Sequence, residues 1–212
     1  DGIFQVGKKF SKTYRFTDVN YFVASREDKE VMFLAYSELL NSLDSAATTK
    51  LTIRNRRQSW AGLEQSVLMP MKEDGLDGYR REYNQMLIDK ATGGSGIVQE
   101  KYVTVSICKR SIEDARAYFA RTGADLTARF AALGSKCVEL DATDRLRMLH
   151  GFYRAGEEEN FCFDMADMAR KGHDFKDYIC PDGIEKHSDY LKLGDRYCRV
   201  LFLKDYASYI KD

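Results

Sequence analysis

The amino-acid sequence predicts an α+β fold in which a mostly antiparallel sheet is packed with helices. Three observations carry that reading. Strand-like alternation and helix-like periodicity take turns through the first 133 residues, as expected when a sheet is layered with helices. Hydrophobic residues make up 44% of the chain, enough for a core. Only Pro70 and Pro181 interrupt it, so the elements between them run unbroken. A length of 212 residues fits one large domain or two small lobes. A main lobe is expected over 1–140 and a smaller helical and hairpin lobe over 141–212.

Val6 to Phe22 reads as paired strands. Glu27 to Leu40 reads as a helix, with Val31, Leu34 and Glu38 at helical spacing beside Met32, Phe33, Tyr36, Leu39 and Leu40. Ser25 is placed to cap it, and Asp28 three residues on completes the box. Thr48 to Arg54 alternates Thr49, Leu51 and Ile53 as a strand does. Leu76 to Lys90 reads as a helix with Tyr79, Tyr83, Met86 and Leu87 on one face, and residues 91–96 as a glycine-rich loop. Val98 to Cys108 is the clearest strand, with Tyr102 and Thr104 alternating against Val103, Val105 and Ile107. Ser111 to Leu133 is the strongest helix. Ser111 caps it, Asp114 closes the box, and Ala115, Phe119, Leu126, Phe130 and Leu133 form its apolar stripe. Gly123 is a candidate bend and Gly134 the stop. Lys136 to Leu140 fits a strand, and Asp141 caps a helix with Leu146, Leu149 and Phe152 inside. Gly156 to Asn160 is a polar break, and a hairpin is expected around Gly194-Asp195.

Composition narrows the function. Basic and acidic residues each number 33, so the formal net charge is zero. That argues against general nucleic-acid binding, although a local patch can still act. The five cysteines, Cys108, Cys137, Cys162, Cys180 and Cys198, are widely spaced and contain no CxxC pair. They predict reduced thiols in a cytoplasmic setting and lack zinc-ligand spacing. No apolar run approaches the roughly 18–20 residues that span a bilayer, and no signal peptide is evident. If a membrane matters, the chain lies beside it.

The final stretch, LKLGDRYCRVLFLKDYASYIKD, alternates like a strand through Tyr197, Arg199, Leu201 and Leu203, then turns polar. A similar order recurs near the other end. With Gly7 set on Gly194, Lys9 falls on Arg196, Phe10 on Tyr197, Lys12 on Arg199, Phe16 on Leu203 and Asp18 on Asp205. Two similar turn-plus-strand units are one reading, with glycine at each tight turn. Two edge strands with basic outer faces are the other. The open-ended pattern leads to the expectation that the chain is a fragment of something larger.

Candidate catalytic motifs mostly fail. Gly2 to Lys9 reads G-x-x-x-x-G-K-K, but a phosphate-binding loop needs Ser or Thr where Lys9 stands, to hold magnesium. Its interior is itself strand-like. Gly93 to Gly96 has no lysine behind it and reads as a connector. His150, His173 and His187 form no HExxH or HxH pair and read as surface or loop residues. Glu157, Glu158 and Glu159 read as a solvated charge run. The basic run Lys50, Arg54, Arg56, Arg57 is the better candidate. Arg54 and Arg56 share a face if the strand continues, and Trp60 follows. Such a strand end suits phosphates, a stacked base, or an acidic protein or lipid surface. The competing reading is a solvated strand end with Trp60 in the core. Tyr79 to Tyr83 presents similar chemistry on a helix, where local salt bridges are expected of Arg80 and Arg81.

Extended pattern adds a resemblance. Phe10 to Asp18 (FSKTYRFTD), Ser37 to Thr52 (SELLNSLDSAATTKLT), Leu76 to Asn84 (LDGYRREYN), Thr122 to Phe130 and Gly194 to Tyr209 look like the N-terminal region of the conjugal-transfer ATPases of type IV secretion systems. This is the CagE/TrbE/VirB-type family, in the version carried by conjugative elements of Gram-positive bacteria. The likeness runs over essentially the whole chain, and its motifs are not chemically diagnostic. It implies a domain that meets the membrane-embedded part of a secretion channel at the cytoplasmic face of the membrane. The C-terminal motor of that family, with its phosphate-binding loop, is absent here. No nucleotide-site residue carries over, so neither a cofactor nor ATPase activity is implied for this stretch.

Two functions from different classes follow. One is a docking module that binds cytoplasmic-membrane channel subunits, or sister copies in a hexamer. The other is a nucleic-acid-binding module using Arg54, Arg56 and Arg57, with Lys8, Lys9 and Lys12 as further candidates. Zero net charge ranks it second. An enzyme using His173 or Cys180 is a distant third.

Overall fold

A computed structural model describes residues 1–57, 68–93 and 97–205. The chain divides into two compact units, one ending at Arg145 and one beginning at Leu146. The first holds β1 (Phe4–Val6), β2 (Lys9–Phe16), α1 (Arg26–Asn41), β3 (Thr48–Arg57), α2 (Asp77–Gly93), β4 (Ile97–Cys108), α3 (Ile112–Ala132) and β5 (Cys137–Glu139). The division falls inside α4 (Ala142–Tyr153), five residues beyond the boundary expected near residue 140. The fold is α+β, with antiparallel sheets among the described residues.

The sheet runs β1-β2-β4-β3, with β5 also on β2. Register places Phe10 opposite Ile107, Lys12 opposite Val105 and Tyr14 opposite Val103. Leu51 of β3 also pairs with Val103. Because side chains alternate along a strand, these residues share one face, and α3 covers its centre. Ala115, Phe119, Leu126 and Phe130 of α3 are buried with Phe10, Tyr14 and Val105. α3 continues through Gly123 without a break, and a side chain there would strike Glu139 and crowd Tyr14. The glycine lets helix and sheet approach. Ser111 caps α3 as expected, accepting from the Asp114 N–H at 3.1 Å.

The other face of β2 and β4 is polar. Thr13 and Thr104 stand opposite each other with hydroxyls 2.9 Å apart. Two short strands share the outer edge of β2. β1 pairs with Lys9 to Ser11, and β5 with Tyr14 to Phe16. The Arg145 guanidinium stitches the junction. It donates to the Ser11 carbonyl (2.6 Å), the Ser11 hydroxyl (2.7 Å) and the Gly2 carbonyl (3.4 Å), and stacks over the Phe4 ring at 4.1 Å. Burial pulls its pKa down to about 10, since little water is left to solvate the charge. Gly2 is required beside it. Its backbone is left-handed (φ 62°), and an added Cβ would collide with the Leu140 carbonyl oxygen.

Several elements depart from the sequence reading. The first strand pair ends at Phe16 rather than Phe22, and the Thr17 N–H to Lys136 carbonyl bond closes the β2–β5 ladder there. α2 extends to Gly93, into the expected loop; residues 94–96 lie outside the described residues. Tyr79, Tyr83 and Met86 of α2 are exposed. Phe152 of α4 is also exposed, whereas Leu146 is buried.

The second unit holds α5 (Met165–Lys171) and a meander of β6 (Ile184–Lys186), β7 (Leu191–Leu193) and β8 (Arg196–Cys198). Arg154 gathers it, reaching Glu157 (2.9 Å), the Cys180 carbonyl (2.8 Å) and Asp182 (2.9 Å). The expected hairpin is present at Gly194-Asp195. Gly7 and Gly194 occupy matching left-handed turns, at φ 59° and 57°. The likeness stops there. β2 is a buried eight-residue strand, whereas β8 ends at Cys198 and Leu201 and Leu203 are exposed.

Arg145→Met is expected to destabilise the chain by about 2–4 kcal/mol, because it removes the hydrogen bonds of a buried guanidinium to the Ser11 and Gly2 carbonyls and the Ser11 hydroxyl. Gly2→Ala is expected to cost about 1–3 kcal/mol through backbone strain and the collision. Urea denaturation of both variants checks this; an unchanged midpoint for Arg145→Met would show that the stitch contributes nothing.

Candidate interaction surfaces

The basic strand end is where the sequence placed it, and it is already occupied. β3 continues to Arg57, so Arg54 and Arg56 do share a face. Register sets Arg54 opposite Glu100 of β4. Arg56 Nε donates to Glu100 Oε1 at 2.7 Å, Arg54 Nη1 to Oε2 at 3.5 Å, and the Tyr102 hydroxyl to Oε2 at 2.9 Å. The Arg54 and Glu100 side chains are only 13% and 16% exposed. Burial pushes the Glu100 carboxyl up, but the bonds from Arg56 and Tyr102 outweigh it and leave it below the usual range. Arg57 is the last residue of β3, paired with Ile97. Trp60 lies outside the described residues.

The other sequence candidates separate. Gly2 to Lys9 contains β1 and the turn into antiparallel β2, with no helix following Lys8, so it does not have the strand–loop–helix form of a phosphate-binding loop. His150 is buried in α4 rather than on the surface, its ring 5.3 Å from Phe161. His173 stands 3.2 Å from Asp177, and His187 stacks on Tyr190. All five cysteines are free, and Cys137 is buried. Among the described residues, no group of three or more His, Cys, Asp or Glu side chains is placed to hold a metal ion.

Arg80 makes the local bridges expected of it, to Asp74 (2.5 Å) and Asp77 (2.6 Å). Asp77 also accepts the Lys72 and Glu73 N–H groups, fixing the entry to α2. The Arg80 hydrogen bond is the largest influence on the Asp74 carboxyl and holds it at about 2.

A second surface, apolar, was not foreseen. In α1 only Leu39 is buried. Val31, Phe33, Leu34, Tyr36 and Leu40 are exposed, and Phe22 just before the helix is 91% exposed. A cleft of about 320 Å³ opens beside them, lined by Phe16, Val19, Tyr21, Met32, Phe33 and Phe130 among others. Leu51 and Ile53 add exposed apolar area on β3. A signal was present in the sequence. Val31 to Tyr36 is six apolar residues in a row, and at 100° per residue such a run circles the helix. One packing partner cannot cover it.

Glu100→Gln is expected to lower stability by about 1–3 kcal/mol, since it removes the charge that two part-buried guanidiniums share. On the nucleic-acid reading it also raises retention on single-stranded DNA at low salt, with affinity falling steeply as salt rises. If the variant stays unretained, the strand end is not a phosphate surface.

The Asp74 carboxyl lies lower folded than its ordinary 3.8. Its contribution is therefore complete above that value and is lost as pH falls through about 2. Amide exchange at Leu76, whose N–H the Asp74 carboxylate accepts at 3.1 Å, is expected to lose protection over that window, and an unchanged rate there would contradict the clamp.

No protein-family model and no curated protein matches this chain.

Proposed function

We propose that this chain is a docking module: the N-terminal assembly domain of a conjugal-transfer ATPase of a type IV secretion system. In that role it sits at the cytoplasmic face of the membrane and binds channel subunits or sister copies. The exposed apolar surface of α1 carries the reading. Contiguous apolar patches of this kind on soluble domains mark places where another protein sits. The resemblance over Phe10 to Asp18, Ser37 to Thr52 and the other matched segments supplies the identity of the partner. Among the described residues no helix is long and apolar enough to cross a membrane, in keeping with a partner that does the crossing.

The nucleic-acid reading ranks second because Glu100 already engages both Arg54 and Arg56.

Phe33→Asp and Leu34→Asp each replace an exposed side chain, so stability is expected to stay within about 0.5 kcal/mol of the parent. Cross-linking to cytoplasmic-membrane channel subunits of the host system is expected to fall sharply in both. The purified chain is expected not to turn over ATP. Robust turnover, or undiminished cross-linking in both variants, would sink the proposal.

A further inference from the structure

The turn between β1 and β2 meets the start of α3 at an open cleft of about 660 Å³. Lys8, Lys109, Arg110 and Arg121 line it together with a single carboxylate, Asp114; Cys108 and Tyr118 form part of the wall. The backbone gathers these cations. Gly7 takes the left-handed conformation that lets the turn bring Lys8 round, and the Lys109 N–H donates to the Lys8 carbonyl at 3.2 Å. Lys109 Nζ lies over the Tyr118 ring, 4.9 Å from its centre.

Arg54, Arg56, Arg80, Arg116, Arg129, Arg154 and Arg170 each bond a carboxylate. Among the described residues, none of the four cleft cations does. They leave a local excess of three positive charges in a molecule of zero net charge. Gathered like charges repel one another and oppose folding. Arg110 and Arg121 are exposed and fill no core position. What such a concave, basic wall suits is concentrated negative charge. Lysine meets phosphate oxygens as a point charge and arginine as a planar fork.

We propose that this cleft binds a pair of adjacent phosphate groups, carried either by a small diphosphate or by an anionic lipid headgroup with two phosphates. The volume is in the range of small-ligand sites. This site is distinct from the α1 surface and does not depend on the docking proposal.

Two arms distinguish the sources: calorimetric titration with inorganic pyrophosphate, and flotation with phosphatidylcholine vesicles with and without cardiolipin. Arg110→Glu and Arg121→Glu test the cleft. Arg26→Glu, at a side chain 93% exposed on α1, is the control. Folding of each is checked by circular dichroism. Binding is expected to weaken at least about tenfold in each cleft variant and to be unchanged in the control. Alkylation of exposed Cys108 is expected to slow when pyrophosphate or cardiolipin vesicles are present, while exposed Cys162 and Cys180 react as before. Pyrophosphate binding without vesicle binding assigns a soluble diphosphate; cardiolipin-dependent flotation assigns the lipid. Failure of both arms, or equal binding by the cleft variants and the control, overturns the proposal.

Discussion

The demands placed on β2 organise the first unit. Its eight residues pair with β4 along one edge and with both β1 and β5 along the other. One of its faces carries Phe10 and Tyr14 into the core beneath α3, while the other carries Ser11 and Thr13. A strand used on both edges and both faces leaves little room for unpaired groups. The gap between β1 and β5 is the weak point of such an arrangement. Arg145 closes it by supplying donors from outside the ladder, and the Leu140 N–H bonds the Thr13 carbonyl at 3.0 Å beside it. A buried cation that meets carbonyls and a ring instead of a carboxylate is held by geometry more than by charge.

The same logic separates structural polar groups from available ones. Lys12 is nearly buried yet bonds Glu139 at 2.5 Å, and Arg54 and Arg56 converge on Glu100. These charges have been spent on the fold. The basic groups around Lys109 have not, and the apolar side chains of α1 have not been covered. Surface that remains uncommitted in these two places is where the functional readings rest.

Legibility in the sequence followed the range of the interaction involved. α3 was readable because its cap, its acidic N3 residue and its apolar stripe are all local and agree with one another. The alternation of β4 was equally plain. α1 is legible as a helix from its cap and periodicity, whereas the exposure of its apolar side chains is not, since boundaries depend on local signals but burial depends on neighbours far along the chain. The fate of Arg54 and Arg56 depends on Glu100, 46 and 44 residues away. Period-two spacing showed that the two arginines share a face; only the register of β3 on β4 shows that the face already contains their counter-charge. Gly123 was legible as an anomaly in a helix but not as a packing contact, because Tyr14 and Glu139 approach it from other elements.

β3 carries one more consequence. Among the described residues it pairs with β4 alone, so its outer row of backbone donors and acceptors meets no strand there. It is also long for an edge, ten residues with exposed Leu51 and Ile53. Edges of that kind template the addition of another extended chain unless charge or distortion blocks them. Here the guarding charges lean inward on Glu100, and Lys50 stands among threonines and aliphatics. An extended chain laid alongside β3 would meet a row of backbone donors and acceptors that no described strand engages, with its register left to its own side chains.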